Sequence, residues 1–365
     1  MSANEKSCIG LNPNTYSHLT EHLAPLCVIM KMPLLLTDEK HAAEAERLYP
    51  KLQIVLKDWQ EVTPQYLIEN YDVFFQSEPW NRLEFYAKFQ GLEEIYQKEV
   101  RNVHCPHGFS DKVFWLEKCV WEDIVLIYGN NMIDLFKGLG IDHLLNAFVK
   151  TGNYRYGYYL SHQSHFDNLA EDRVWSRFKK KQPTILYAPT CHDPEHTTSF
   201  MSSESLFEQL PANYNLLVKI HPALEETDGP ALYHMLGKYE KKDNIVFLED
   251  FPPIYPLLAR SDIYVGDMSS IGYDFLKFNR PMFFLNQRKR DVKTDRNTFL
   301  YRCGFEIRPE NYANFYQIME KELPFDQERY GKVRSEIYDY TFGDSVPFDR
   351  LRQRILQAAD APKKY

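Results

Sequence analysis

The stretch that decides the fold is Asp262-Ile263-Tyr264-Val265-Gly266-Asp267-Met268-Ser269-Ser270-Ile271-Gly272-Tyr273-Asp274-Phe275. The apolar run at its start predicts a buried strand, and the apolar residues from Tyr273 onward have helical spacing. The polar elbow between them directs backbone N–H groups outward at the positive end of a helix, so Ser269 and Ser270 are candidate ligands for a phosphate or carboxylate. A Ser or Asp that only caps an ordinary helix is the alternative interpretation.

The composition describes a large globular chain. It has 365 residues, of which 44% are hydrophobic and 15% aromatic, which predicts two to three domains and excludes a disordered or fibrous protein. The formal net charge of -8 argues against nucleic acid as a partner.

The chain shows no signal for secretion or membrane insertion. The longest apolar run, from Leu23 to Leu36, contains Lys31 and two prolines, and the N-terminus lacks the apolar core of a signal peptide. Six scattered cysteines without a C-x-x-C pair indicate reduced thiols. We therefore expect a cytoplasmic protein, with peripheral contact at the inner face of the membrane left open.

Short strand-like and helical runs alternate in the first half of the chain. The predicted strands include residues 26–30, 34–37, 52–56, 72–76, 102–105, 124–128 and 148–150. Residues 161–183 break this pattern with a polar, charged stretch, and the alternation then resumes with strands at residues 185–188, 215–220, 245–248, 263–265 and 282–285. Alternating strands and helices predict parallel sheets with helices on both faces.

The predicted fold class is therefore α/β, with two Rossmann-like doubly wound domains and a cleft between them. We expect an acceptor domain over residues 1–160, a linker over 161–183 and a donor-nucleotide domain over 184–340. Residues 341–365 are expected to form a C-terminal helix that could cross back to the first domain. In such folds ligands bind beyond the carboxyl ends of the strands.

The first candidate site follows the predicted strand that ends at Cys105. His107 has a side chain suited to taking a proton from a hydroxyl near neutral pH, and Gly108 permits close backbone approach. Lys112 could meet a phosphate. A histidine that merely packs in its loop is the alternative interpretation.

Two further strand ends carry polar residues. Thr190 follows Tyr187-Ala188-Pro189, where an ordinary turn is the simpler explanation of the segment taken alone. Lys219 and His221 share one face of the next strand, and Pro222 ends that strand. An ammonium and an imidazole at this position could hold a diphosphate, or they could form a half-buried edge pair.

Other common sites find little support in the sequence. His162-x-x-His165 and His192-x-x-x-His196 have ligand-like spacing, but no further Cys or acidic cluster completes a structural zinc site. The sequence contains no Walker motif, no G-x-G-x-x-G and no G-x-S-x-G. We predict no bound cofactor or metal site, and only Mg²⁺ brought by the donor's phosphates remains open.

Taken together and in order, the motifs resemble those of the CDP-glycerol glycerophosphotransferase family, which includes teichoic-acid and capsule polymer transferases. The matching segments are His107-Gly108 with Lys112, Thr151-Gly152, Tyr187-Ala188-Pro189-Thr190, Lys219-Ile220-His221-Pro222, Ser261-Asp262 through Asp267, Ser269, Ser270 and Asp274, then Arg280-Pro281 and Gly343-Asp344. The resemblance runs from about residue 100 to about 355.

The resemblance implies a GT-B-type glycosyltransferase architecture and transfer of a polyol phosphate from a CDP-activated donor to a hydroxyl acceptor. It assigns His107 as the general base, and it places His221, Ser269 and Ser270 on the donor's phosphates, so that His107 and His221 are the predicted catalytic residues. We add Lys219, Thr190, Asp267 and Asp274 to the donor side, and Gly108 and Lys112 to the acceptor side. The implied acceptor is a glycan, a polyol phosphate or a lipid-linked molecule.

The chain departs from the family pattern in the acceptor half and at the predicted cleft. Phe109-Ser110-Asp111 stands where Thr-Pro-Leu is common, and Cys191-His192 stands where an aromatic residue and Arg are usual. These departures leave the acceptor and the donor open, and also whether the enzyme adds one unit or many. Three alternatives remain: a nucleotide-sugar glycosyltransferase, a 2-epimerase on the same fold, and a binding protein that has lost catalysis.

Overall fold

The computed structural model describes residues 6–13, 16–113, 115–191 and 198–362, without the side chains of residues 79–83. These residues form two compact units, which we describe separately. The first unit contains the chain up to Gly108, Val113–His162 and the residues from Tyr340 on; the second contains Phe109–Lys112 and Gln163–Asp339. The helical part of the expected linker is thus packed with the second unit.

The first unit is a parallel sheet with helices. Its strands are β1 (Cys8–Asn12), β2 (Leu34–Leu36), β3 (Ile54–Leu56), β4 (Val73–Gln76), β5 (Arg101–His104), β6 (Ile124–Ile127) and β7 (Phe148–Lys150). Its helices are α1 (Ser17–Met30), α2 (Glu39–Leu48), α3 (Pro64–Asn70), α4 (Pro79–Tyr96), α5 (Asn130–Gly138), α6 (Tyr154–Ser161) and, near the C-terminus, α14 (Phe348–Asp360).

The second unit repeats this plan. Its strands are β8 (Thr184–Ala188), β9 (Asn215–Lys219), β10 (Ile245–Leu248), β11 (Ile263–Gly266), β12 (Met282–Leu285) and β13 (Phe305–Ile307). Its helices are α7 (Gln163–Arg173), α8 (Glu204–Glu208), α9 (Leu224–Tyr239), α10 (Tyr255–Arg260), α11 (Ser270–Phe275), α12 (Phe315–Glu322) and most of α13 (Asp326–Phe342).

The strand order shows a doubly wound fold in each unit. The first sheet has the order β3-β2-β1-β4-β5-β6-β7 and the second β10-β9-β8-β11-β12-β13, with every pairing parallel. In both sheets the first strand lies beside the fourth, where the winding reverses direction. Ligands of such folds bind at this switch point, beyond the carboxyl ends of the strands.

Local sequence explains many of the element boundaries. The Asp38 side chain accepts the His41 N–H at the start of α2, and Thr63 accepts the Tyr66 N–H before Pro64 opens α3. All five residues of β8 are buried, as expected for a strand covered on both faces.

The predicted strand at residues 26–30 is wrong, because those residues form the end of helix α1. This helix is buried on nearly all sides, so its apolar residues show no helical period and imitate a buried strand. The actual first strand, β1, and the last strand, β13, were not anticipated. Among the described residues, none of the helices has the length and apolar character needed to cross a membrane.

Candidate functional site

The carboxyl ends of three neighbouring strands meet at the switch point of the second sheet. Gly266 of β11 is in register with Ala188 of β8, and Tyr187 is in register with Val218 of β9. The carboxyl edge of this sheet therefore carries Thr190, Asp267 and Lys219, which lie at or just beyond the ends of their strands. The predicted donor-side residues of these three strands are brought together as their order in the sheet requires.

Asp267 is the centre of a hydrogen-bonded group at this edge. Its Oδ1 accepts the Thr190 N–H at 2.8 Å, and its Oδ2 accepts both the N–H and the hydroxyl of Ser199 at 2.8 Å. The Asp267 side chain is buried, and burial raises its pKa to about 6 against the opposing effect of these hydrogen bonds and of Lys112. Both carboxylate oxygens thus accept hydrogen bonds from the protein, and they hold Thr190 and Ser199, which follow β8 along the chain.

Lys112 lies in the second unit, where it completes this group. Its Nζ donates to Thr190 Oγ1 at 2.7 Å. We call Lys112, Thr190, Ser199 and Asp267 the exit cluster. The sequence analysis predicted Lys112 on the acceptor side. In the structure it lies beside Thr190, which was predicted on the donor side.

The end of β9 supplies an ammonium and an imidazole. Lys219 is buried, and His221 Nδ1 accepts the N–H of Ala223 at 3.2 Å. A ring whose Nδ1 accepts carries its proton on Nε2, so His221 can donate from that nitrogen. The predicted pair is therefore present, with the histidine held in one tautomer by its own turn.

The elbow after β11 begins helix α11. Ser269 is the N-cap, and its Oγ accepts the Ile271 N–H at 3.4 Å, while Ser270 opens the helix. Ser269 is therefore a helix cap, and the same residue is the predicted anion ligand. Asp274 is buried and accepts the Tyr255 hydroxyl at 2.7 Å, which ties α11 to α10.

The first unit holds His107 near the end of β5. The Tyr128 hydroxyl donates to the Pro106 carbonyl at 3.0 Å, and Gly108 has a φ of 112°, which favours glycine. The His107 ring lies 5.8 Å from Trp115 and 6.3 Å from His18, centroid to centroid. The loop is therefore shaped around a fixed imidazole.

Burial keeps this imidazole neutral. It lowers the pKa of His107, although a hydrogen bond with the Ser77 backbone acts in the opposite direction. Within the described part of the chain, the buried Nδ1 of His107 has no protein partner. The protein thus favours the neutral ring and holds one of its nitrogens through the backbone, and a general base must likewise be unprotonated before it acts.

Neighbouring groups at this edge are also neutral at pH 7. Burial lowers the pKa of His104 to about 3 and raises that of Glu78 to about 8. Gln76 and His104 are register partners on β4 and β5, and Glu78 follows β4. Sequence reasoning missed Glu78, because nothing in its local sequence distinguishes it from a surface acid.

A buried ion pair lies beside His22 in the first unit. Arg155 donates to Glu21 at 2.6 Å, and burial and Arg155 together hold the pKa of His22 well below its usual range. The Tyr154 hydroxyl donates to the His22 carbonyl at 3.0 Å and contacts Cys105 Sγ at 3.2 Å. The charges of Arg155 and Glu21 therefore neutralise each other within the protein.

The structure gives no positive support for a metal centre. Over residues 6–13, 16–113, 115–191 and 198–362, no three His, Cys, Asp or Glu side chains are grouped so that they could hold an ion. His162 Nδ1 contacts the Tyr158 carbonyl at 3.1 Å. The second spaced pair, His192 and His196, lies outside the described residues.

The chain is similar to several known proteins. It is 25% identical over 166 residues to a teichoic acid glycerol-phosphate primase of Bacillus spizizenii, a match that covers 44% of this chain and 39% of the primase. It thus spans about two fifths of that relative's length.

Two solved structures share the fold. A variant of the wall teichoic acid polymerase TagF soaked with CDPG has a TM-score of 0.62 at 14% identity over 97% of this chain and 88% of that one. A UDP-GlcNAc 2-epimerase from Neisseria meningitidis has a TM-score of 0.56 at 10% identity over 97% and 99%. Both likenesses show the fold of two Rossmann-like domains, the GT-B architecture that the motifs imply.

The decisive comparison is with a family model. The model described as CDP-Glycerol:Poly(glycerophosphate) glycerophosphotransferase matches residues 146–356, which include every second-unit strand-end motif described above. This match extends over more than half of the chain, so the protein belongs to the CDP-glycerol:poly(glycerophosphate) glycerophosphotransferase family.

Proposed function

We propose that this protein transfers glycerol phosphate, or a related polyol phosphate, from a CDP-activated donor to a hydroxyl acceptor in the synthesis of a cell-envelope polymer. The observation that carries the proposal is the edge of the second sheet. There the carboxylates of Asp267 and Asp274 accept protein hydrogen bonds. The N–H donors at this edge are the ammonium groups of Lys112 and Lys219 and the ring of His221. Such an edge suits a diphosphate.

In the proposed reaction His107 takes the proton of the acceptor hydroxyl. The acceptor oxygen then forms a bond to the β-phosphorus of the donor, and the bond from that phosphorus to the bridging oxygen breaks. CMP leaves with the bond's electrons, and the product is a phosphodiester. Lys219, His221 and the Ser269-Ser270 elbow are proposed to stabilise the charge that develops on CMP.

Family membership and the name of the primase relative support this donor class. The TagF variant that shares the fold was soaked with CDPG. For this chain, donor and acceptor are part of the proposal, as is Mg²⁺ bound through the donor's phosphates.

The first experiment is a thermal-shift panel of CDP, CMP, UDP, GDP and ADP, with and without Mg²⁺. A ligand present at 100 times its Kd stabilises the native state by about 2.7 kcal/mol, so a functional donor site gives a clear shift. We expect CDP to give the largest shift, and the Ser269→Ala, Ser270→Ala double variant to lose most of it. Ser176→Ala, an exposed serine of the same unit, is the matched control and should keep the shift.

Product analysis then tests the reaction. Release of CMP together with a new phosphodiester signal in ³¹P NMR supports the proposal. A preference for UDP with sugar transfer, or with consumption of the donor in the absence of any acceptor, replaces it with glycosyl transfer or epimerisation. Failure of every nucleotide to shift the midpoint contradicts an enzymatic role and supports the binding-protein alternative.

A further inference from the structure

Four residues of the His107-Gly108 motif belong to the second unit. Phe109–Lys112 is packed there, while the residues up to Gly108 and the following segment Val113–His162 are packed in the first unit. The positive φ of Gly108, 112°, lies immediately before this segment. The motif therefore separates its histidine from its lysine, which the linear sequence could not reveal.

The segment is held by side chains of the second unit at two points. Phe109 is buried and meets the Tyr273 ring edge to face, with 4.6 Å between the centroids. Asp111 is also buried, and its Oδ1 accepts the Tyr273 hydroxyl at 2.6 Å and Arg296 Nη1 at 2.9 Å. Its Oδ2 accepts the Leu300 N–H at 3.0 Å.

These contacts engage both oxygens of the Asp111 carboxylate with the protein. Burial raises the pKa of Asp111, and Arg296, Tyr273 and the Leu300 N–H act against that rise. A buried carboxylate that accepts three protein hydrogen bonds has its oxygens occupied, so its contribution is to fix the backbone around it.

The residue fixed in this way is the next one along the chain. Lys112 follows Asp111 directly, and its Nζ lies 2.7 Å from Thr190 Oγ1 in the exit cluster. Thr190 is in turn held by Asp267 through its N–H. Two buried carboxylates therefore locate one ammonium–hydroxyl pair at the switch point of the sheet. Asp111 is the residue before Lys112, and Asp267 accepts the N–H of Thr190.

We propose that Asp111 is a positioning residue that holds Lys112 against Thr190, and that this Lys112–Thr190 pair binds a phosphate of the nucleoside diphosphate donor. The inference rests on the proposed function. It moves Lys112 from the acceptor side to the donor side, and it assigns a role to Asp111, which stands at a point where the sequence departs from the family pattern.

The test compares CDP with cytidine, which has the same base and sugar but no phosphate. Binding of each is measured by ligand-observed NMR titration, which detects weak binding, for the wild type, Asp111→Asn, Lys112→Gln and the double variant. Lys321→Gln, an exposed lysine of the same unit, is the matched control. The intact chain is used throughout.

If Asp111 acts through Lys112, each single variant weakens CDP binding about tenfold or more and leaves cytidine binding unchanged. The double variant is then no weaker than Lys112→Gln alone, because the two residues act as one unit. Lys321→Gln binds both ligands as the wild type does.

Several results would overturn the inference. They are unchanged CDP binding in Lys112→Gln, additive losses in the double variant, or a parallel loss of cytidine binding, which would show general damage to the unit. If Asp111→Asn does not fold, Lys112→Gln still decides whether the lysine meets a phosphate. If the variants contradict the inference but the wild type binds CDP, the proposed function still stands. A wild type that binds no nucleotide contradicts both the inference and the proposed function.

Discussion

The carboxyl edges of the two sheets are built from the same strand order but opposite chemistry. In the first unit, His107 and His104 are neutral because burial lowers their pKa values, and Glu78 is neutral because burial raises its pKa to about 8. In the second unit, the carboxylates of Asp111 and Asp267 each accept three protein hydrogen bonds.

This difference separates two tasks that the same fold can perform. Neutral groups with an unused nitrogen suit proton transfer, because a base must be unprotonated before it acts. Carboxylates that are fully bonded within the protein leave lysines, N–H groups and hydroxyls as the groups presented to a ligand, which suits an anion. This difference agrees with the proposed function, in which the first edge acts on a hydroxyl and the second binds a phosphate.

The largest expected effect comes from removing the base of the first edge. His107→Ala should lower the rate of transfer to the acceptor by about 10²- to 10⁴-fold, the usual contribution of general base catalysis. The affinity for CDP should be unchanged, because His107 is proposed to act on the acceptor and not on the donor. The measurement pairs CMP release with a CDP titration, and the exposed His143→Ala in the first unit is the control.

If His107→Ala lowers the affinity for CDP as much as it lowers the rate of transfer, the proposed division of tasks is wrong. A normal rate of transfer in His107→Ala would contradict it as well.

The second effect tests the internal bonding of the second edge. Asp267→Asn replaces an acceptor of three hydrogen bonds by an amide whose NH₂ group faces N–H donors. The free energy of unfolding should fall by about 2–3 kcal/mol, because buried donors of Thr190 or Ser199 lose their partner. Urea denaturation measures this loss, and CDP affinity should fall with it.

Asp262→Asn is the matched control for that change. Asp262 is exposed and its carboxylate accepts the Thr184 N–H at 2.8 Å at the start of β8, at the opposite end of the strand. We expect a loss below about 1 kcal/mol, since water can replace an exposed partner. Similar losses in both variants would contradict the special role of Asp267.

A smaller effect separates the capping role of Ser269 from its proposed ligand role. Ser269→Ala should cost about 0.5 kcal/mol of stability through the lost cap, at the low end of the usual range because the hydrogen bond is 3.4 Å long. Thr63→Ala removes a cap of α3 in the first unit, where the hydrogen bond is 3.1 Å. Only Ser269→Ala should weaken CDP binding; equal CDP affinities in the two variants would reduce Ser269 to a cap.

The smallest effect concerns pH. Burial lowers the pKa of His107 below its ordinary value of 6.5, so more than half of the rings are neutral at pH 6.5 and the neutral fraction rises further with pH. At saturating donor, kcat for transfer should therefore change less than about twofold between pH 6.5 and 8 and fall only below that window. A profile that still climbs between pH 7 and 8 would show that another group supplies the base.

Much of the fold was predictable, because short apolar runs bounded by turn residues mark buried parallel strands. Every strand from β2 to β12 overlaps a predicted one, and both doubly wound units were expected. The failures have a physical cause. Residues 26–30 lie in a helix buried on almost every side, so no period distinguished them from a strand. Glu306 interrupts the apolar residues of β13, and Gly10 interrupts those of β1, so neither strand shows a continuous apolar run.

The candidate residues themselves came from the sequence, but their partners did not. Thr190, Lys219, His221 and the elbow residues are visible as polar residues that follow predicted strands. Ser199 and Arg296 carry no local signal, because each acquires its role from a contact with a carboxylate 68 or 185 residues away along the chain.

By itself the sequence determined the α/β alternation, the polar residues at the strand ends and the family, since all three are written in local patterns. Only the tertiary structure decided that Lys112 lies beside Thr190, that Asp111 and Asp267 accept bonds from the protein, and that burial keeps His107 neutral. The physical reason is that charge state and hydrogen-bond partners depend on burial and on contacts between distant residues. Neither is encoded in any single stretch of the chain.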